Sequence, residues 1–184
     1  MELKIVAIYP PYLYSVHYNG ASDNEYDRLL LQWNDMGQVL QFLTENAECL
    51  ENKIWKFRND VEELAAQIRD EAEELEELFD ELNVNSIKGI DPNFSSHFHF
   101  LDGEYKYCLE WIPMKSYGTR RPSLIRLYAI KVDDNCFVIT GGGIKLGATI
   151  QESPDLKDHV LLEIKIVREY LKTNSIFDSN DIEQ

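Results

Sequence analysis

Arg126 and Tyr128 stand two residues apart in the apolar run from Ser123 to Val132, and on an extended strand alternate side chains share a face. A guanidinium beside a phenol on one sheet face is chemistry suited to a phosphate and a base. The stretch Lys115 to Arg121 just upstream supplies Lys115, Tyr117, Arg120 and Arg121, and Lys145 follows the next apolar run. If these curl over the face of Arg126, the group grips a phosphate backbone while an aromatic ring stacks a base. The competing reading is structural, with Arg126 paired to an acidic helix and Tyr128 packed in the core. On the residues alone the structural reading is preferred.

Position depends on the elements. Ser123 to Val132 and Cys136 to Thr140 are rich in branched and aromatic residues around Asp133, Asp134 and Asn135, which predicts a β-hairpin. Glu104 to Ile112 alternates Tyr105, Tyr107, Leu109 and Trp111 with Lys106, Cys108 and Glu110, a strand pattern that Pro113 is expected to end. Leu3 to Tyr9 and Tyr12 to Tyr18 predict a second hairpin across Pro10 and Pro11. Ser22 with Glu25 has capping-box spacing before a helical pattern that Gly37 divides.

Asn59 with Glu62 marks a further helix start, after which Val61, Leu64, Ala65, Ile68, Ala72, Leu75, Phe79 and Leu82 recur at helical steps. Irregular chain is expected from Asn83 to Asp102. Ser153 and Pro154 predict the opening of a last helix with Leu156, Val160, Ile164, Val167 and Leu171 on one face. The expected fold class is α+β, a small antiparallel β-sheet with helices packed on one side. Residues 1–175 read as one domain and 176–184 as a polar, frayed C-terminal tail.

The net charge of −15 argues against indiscriminate nucleic-acid binding, but it is unevenly spread. Residues 59–83 hold one arginine against eleven acidic residues, while 104–150 hold seven basic and four acidic ones. The acidity is mostly one helix, whose Glu73, Glu74, Glu76 and Glu77 form either a solvated face or a surface for a basic partner. No apolar run approaches the length of a membrane span or signal peptide, so a soluble, cytoplasmic chain without a membrane partner is expected.

Cys49, Cys108 and Cys136 lack metal-ligand or disulfide spacing, and His97 and His99 lack a third ligand. Gly141, Gly142 and Gly143 precede Ile144 and Lys145 instead of opening a helix, so they read as a bulge rather than a phosphate loop. No cofactor or metal is expected.

The segment from Arg126 to Ile139, the Gly142, Gly143, Ile144, Lys145 turn, Gln151 to Leu156 and the closing helix resemble the C-terminal half of RelE/HigB-like toxins of bacterial toxin-antitoxin systems. The resemblance implies a RelE-like fold and metal-independent cleavage of mRNA, often on the ribosome, held in check by an antitoxin protein. It places Arg126, Lys145 and Lys115 as catalytic residues on the scissile phosphate, with Tyr128, Arg120, Arg121 and Tyr117 as RNA-binding ones. Leu146 and Ala148 depart from the lysine-rich loop of the family, and no tyrosine or histidine base follows Lys145. A chain that keeps the fold without the reaction, using the acidic helix over 59–83 to bind a basic partner, is the alternative.

Overall fold

The computed structural model describes residues 2–51, 54–55 and 60–182, and the Asn59 cap expected from sequence lies outside them. The first hairpin is as expected: β1 (Leu3–Tyr9) and β2 (Leu13–Tyr18) pair antiparallel, with the Tyr12 N–H donating to the Tyr9 carbonyl at 2.8 Å. Two helices follow, α1 (Glu25–Asn34) and α2 (Met36–Glu45). Ser22 is not the cap; its hydroxyl donates to Asp23, while the Asn24 side chain accepts from the Asp27 N–H. The break between the helices falls at Asp35 instead of Gly37, because Asp35 is extended and its carboxylate caps the Gln38 N–H.

A 3-10 turn at Ala47–Glu51 precedes α3 (Val61–Lys88), whose expected apolar stripe from Leu64 to Leu82 is buried. Asp60 caps its first turn and Gly89, at φ 67°, ends it. Residues 83–88, expected to be irregular, continue the helix because Ser86 still faces the core and bonds the Phe94 N–H. Then come α4 (Phe94–His97), β3 (His99–Phe100) and a 3-10 turn at Tyr105–Tyr107.

The strand expected over Glu104 to Ile112 does not form. Leu109 is 95% and Tyr107 77% exposed, so the middle of the alternation has no layer to bury into, and only Tyr105 and Trp111 at its ends pack on the core. Strand β4 (Ile112–Tyr117) instead starts where that pattern ends and runs through Pro113. The Pro113 carbonyl accepts from the Leu101 N–H on the outer side of the strand, so its missing donor also faces outward and no β4–β5 bond is lost.

The expected central hairpin is β5 (Ile125–Asp133) with β6 (Cys136–Ile144). The sheet order is β1-β2-β6-β5-β4-β3, antiparallel except for the parallel β2–β6 pair. The fold is therefore α+β. Helices α1 to α3 gather over one face, where Leu127, Ala129, Phe137 and Ile139 meet Leu29, Trp33, Leu64, Ile68 and Phe79. Helix α5 (Val160–Thr173) covers the opposite face through Ile164, Val167 and Leu171, against Tyr128, Ile130 and Val138.

The last long helix starts at Val160, not at Ser153. Ser153 closes a loop instead, its hydroxyl accepting from the Gly147 N–H and donating to the Thr149 carbonyl. Beyond Thr173, where a frayed tail is expected, Ile176 is buried, its carbonyl accepts from Trp111 Nε1 at 2.7 Å, and α6 (Ser179–Ile182) follows. Among the described residues no helix is long and apolar enough to cross a membrane.

The glycine run of β6 lies beside a bulge opposite Tyr128 and Ala129, as expected. A Cβ at Gly141 would collide with the Glu163 carboxylate of α5, so glycine is what lets that helix approach. Glu163 Oε2 is buried without a hydrogen-bond partner, and the His159 ring is 4.0 Å away. Burial, then the nearby Glu25, pushes its carboxyl from 4.5 up to about 8. A raised carboxyl favours the fold fully at low pH, and that contribution is lost as pH rises through about 8. Glu163→Gln is therefore expected to stabilise the protein by about 1–2 kcal/mol at alkaline pH and to flatten the loss of stability between about pH 4.5 and 8. Urea melts across that range check this, and an unaltered pH dependence in the variant would discount Glu163 as the cause.

Candidate functional site

The register of β4 on β5 sets Lys115 opposite Tyr128 and Tyr117 opposite Arg126. Opposed residues share a face, so two cations and two phenols alternate on the α5 side of the sheet. Lys145 joins them from the end of β6, where its N–H donates to the Leu124 carbonyl at 2.7 Å. Because α5 starts only at Val160, the chain from Lys145 to Gln151 forms a wall instead of a lid. The result is a cleft of about 560 Å³ lined by Lys115, Tyr117, Arg126, Tyr128, Lys145 and the side of α5 at Leu161.

None of the three cations pairs with a carboxylate among the described residues. Arg126 Nη1 donates to the Ile125 carbonyl at 2.7 Å, and its guanidinium carbon lies 4.2 Å from the centre of the Tyr117 ring. Lys115 Nζ donates to the Leu101 carbonyl at 2.8 Å, and Lys145 Nζ to the carbonyls of Gly147 and Ala148 at 2.6 and 2.7 Å. Backbone carbonyls thus aim the cations without neutralising them. Asp102 also lines the cleft, but its carboxylate caps the Glu104 N–H.

Burial lowers the pKa of Arg126. Burial first, and then the charges of Arg126 and Lys115, bring Lys145 down from 10.5 to about 8. Crowded positive charge with few counter-ions is the electrostatic condition for taking up an anion.

The sequence-predicted residues divide. Lys115, Tyr117, Arg126, Tyr128 and Lys145 come together. Arg121 leans over the Tyr117 ring at 5.4 Å and is tied to the Gly118 carbonyl, at the margin of the group. Arg120 turns away to α3, where it pairs with Glu74 at 2.8 Å and Asp70 at 3.3 Å. Tyr128 is 1% exposed, so it walls the cleft and has no face to offer a base. The ring of Tyr117 is covered by Arg126 and likewise serves cations. The expected pairing of Arg126 with the acidic helix does not occur: Glu71 of that helix instead accepts from Ser123 at 2.8 Å and Gln67 at 2.6 Å.

On the acidic helix Glu74 accepts from Thr119 as well as Arg120, which holds its carboxyl below the usual range. Glu73, Glu76 and Glu77 are exposed. His97 is half-buried, packed against Phe79 and hydrogen-bonded to Ser116 at 2.6 Å, and burial brings it down to about 4. His99 remains exposed.

Sequence reasoning missed the loop residues Thr149, Ile150 and Gln151 that wall the cleft. The signal available was Gly147 with Ser153, a glycine and a hydroxyl at the spacing that closes the loop. Compared with known proteins, the chain matches no family model, no curated protein and no solved structure.

An anion in this cleft restores the ammonium of Lys145, so inorganic phosphate is expected to raise the Lys145 midpoint above about 8. It is also expected to stabilise the fold by about 1 kcal/mol at roughly fivefold excess over its Kd. NMR titration of the lysine Nζ and thermal melts in phosphate check both. Shifts no larger than those of Arg126→Gln would leave the cleft without an anion site.

Proposed function

We propose that the cleft binds the phosphodiester of single-stranded RNA and that the chain acts as a RelE/HigB-like toxin-type endoribonuclease. The observation that carries this reading is the convergence of Lys115, Arg126 and Lys145, without a carboxylate ion pair among the described residues, in one cleft of a protein with net charge −15. Three cations crowded in one partly buried cleft repel one another, and an anion seated among them relieves that repulsion.

In such a reaction the RNA 2'-hydroxyl attacks its own phosphorus. A proton leaves that hydroxyl for solvent, the bond to the 5'-oxygen breaks, and a cyclic phosphate and a free 5'-hydroxyl result. Arg126 and Lys115 neutralise the charge growing on the phosphoryl oxygens. Lys145, with its ammonium near about 8, gives a proton to the departing oxygen at neutral pH. The chain's own cations supply this chemistry, in keeping with the metal-independent cleavage that the resemblance implies, on mRNA free or at the ribosome. An antitoxin protein would inhibit by covering the cleft.

Arg126→Ala with Lys145→Ala is expected to lower cleavage of a single-stranded RNA, assayed with chelator present, by about 100-fold or more, with the circular dichroism spectrum unchanged. Induced expression of the wild type is expected to arrest growth, and the double variant to relieve the arrest. Intact RNA after prolonged incubation with the wild-type protein sinks the reading.

One observation favours a second reading, a non-catalytic chain that docks a basic protein. Glu76 is held above its usual range by burial and by Asp80, Glu73 and Asp27, a cluster that a cationic partner would relieve. Glu73, Glu76 and Glu77 changed together to Gln are then expected to raise stability slightly, by about 0.5–1 kcal/mol, and to abolish salt-sensitive capture of a basic peptide. Undiminished capture by the triple variant counts against it.

A further inference from the structure

Lys145 differs from the other cleft cations in how its nitrogen is held. It donates two hydrogen bonds, to the Gly147 carbonyl at 2.6 Å and the Ala148 carbonyl at 2.7 Å. A neutral amine has two hydrogens, so both are used and the lone pair is left over. Lys115, by contrast, donates to the Leu101 carbonyl, and Lys131 outside the cleft is paired to Asp134 at 3.1 Å. Arg126 and Lys115 stand in the same cleft, which has room for a small phosphorylated molecule.

We propose that Lys145 is a nucleophilic amine that captures a small aldehyde carrying a phosphate group, the phosphate resting on Arg126 and Lys115 and the carbonyl carbon reaching Lys145 Nζ. The inference shares with the RNA reading only its premise that the cleft grips phosphate. The bond chemistry balances without a further reagent. The ammonium gives one proton to water, the Nζ lone pair attacks the carbonyl carbon, and the carbonyl oxygen becomes the hydroxyl of a carbinolamine. That hydroxyl leaves as water with the regained proton, giving a protonated imine. In sum, an ammonium and an aldehyde become an iminium and one water.

Two features favour the free amine: its partial burial and its two cationic neighbours, the arrangement by which amines are made nucleophilic near neutral pH. They bring Lys145 down to about 8, so a useful fraction is unprotonated at neutral pH. The same neighbours then hold the phosphate and orient its carbonyl carbon. Because the phosphate offsets their charge once seated, the activation by Arg126 and Lys115 belongs to the empty cleft, and the burial of Lys145 carries it afterwards.

The test uses the full chain with pyridoxal 5'-phosphate as probe, trapped by borohydride and mapped by mass spectrometry. Under limiting probe the label is expected on Lys145, with a rate that rises with pH to a midpoint of about 8. Pyridoxal, which lacks the phosphate, is expected to react roughly tenfold more slowly at that site. Arg126→Gln and Lys115→Gln are each expected to slow labelling and move the midpoint upward, since each removes a neighbouring positive charge. Lys145→Arg keeps the charge and is expected to lose the label.

Label scattered over the surface lysines, equal rates with and without the probe's phosphate, or retained label in Lys145→Arg overturns the proposal. Selective labelling by a protein that leaves RNA intact removes the RNA reading alone. RNA cleavage without labelling removes this one alone.

Discussion

Everything in this molecule hangs on the pairing of β5 with β6 and on the burial of that pair on both faces. All nine residues of β6 are buried, and β5 exposes little beyond Arg126 and its last three residues. Burying a hairpin on both sides demands two covers, and the chain supplies unequal ones. Helices α1 to α3 bury Leu127, Ala129, Phe137 and Ile139 over one whole face. The single helix α5 covers the other only in part, over Tyr128, Ile130 and Val138. Where that cover stops, the alternation of β5 still points side chains outward, and Arg126 is the one at the margin. The cleft is thus a consequence of one long helix being asked to close a sheet wider than itself.

The acidic helix has a part in this that its charge alone does not suggest. Glu71 is buried and held by Ser123 and Gln67, while Asp70 and Glu74 take Arg120, and Glu74 also takes Thr119. These bonds fix the loop between β4 and β5. A Cβ at Gly118 would strike the Glu71 carboxylate, so the loop and helix are fitted to each other at atomic contact. With Arg120 engaged by the helix, Arg126, Lys115 and Lys145 form no ion pair among the described residues. The acidic face of α3 commits carboxylates to the β4–β5 loop, while the cations of the cleft are held by backbone carbonyls, and this separation is what gives an acidic protein a basic cleft.

The sequence carried the parts of this arrangement that depend on periodicity within one element. Both hairpins, the apolar stripe of α3 and the shared face of Arg126 and Tyr128 could be read because strand and helix periods act residue by residue. What depends on neighbours could not. Tyr105 to Trp111 alternates as a strand does, yet only its ends, Tyr105 and Trp111, pack on the core, and Tyr107 and Leu109 between them face solvent. Ser22 and Ser153 have the chemistry of caps, but Asn24 and Asp35 cap the first two helices, and Ser153 bonds the loop at Gly147. Arg120 and Arg126 look alike in sequence; only the fold of the loop sends one to α3 and the other to the cleft. The depth of Tyr128 follows from where α5 lies, which no spacing within β5 encodes.

Charge at Lys145 links the two chemistries proposed for the cleft and sets them against each other. An anion seated on Lys145 itself favours the ammonium, a good proton donor and a poor nucleophile. An anion seated on Arg126 and Lys115 answers their charge and leaves the lysine its two carbonyl partners. Whether the cleft acts as acid or as nucleophile therefore turns on where the phosphate sits relative to the Gly147 and Ala148 carbonyls. A diester passing along the sheet face spreads its charge over all three cations. A terminal phosphate, smaller and doubly charged, is drawn toward the guanidinium, whose planar fork matches it best, and the amine is then the group left to react.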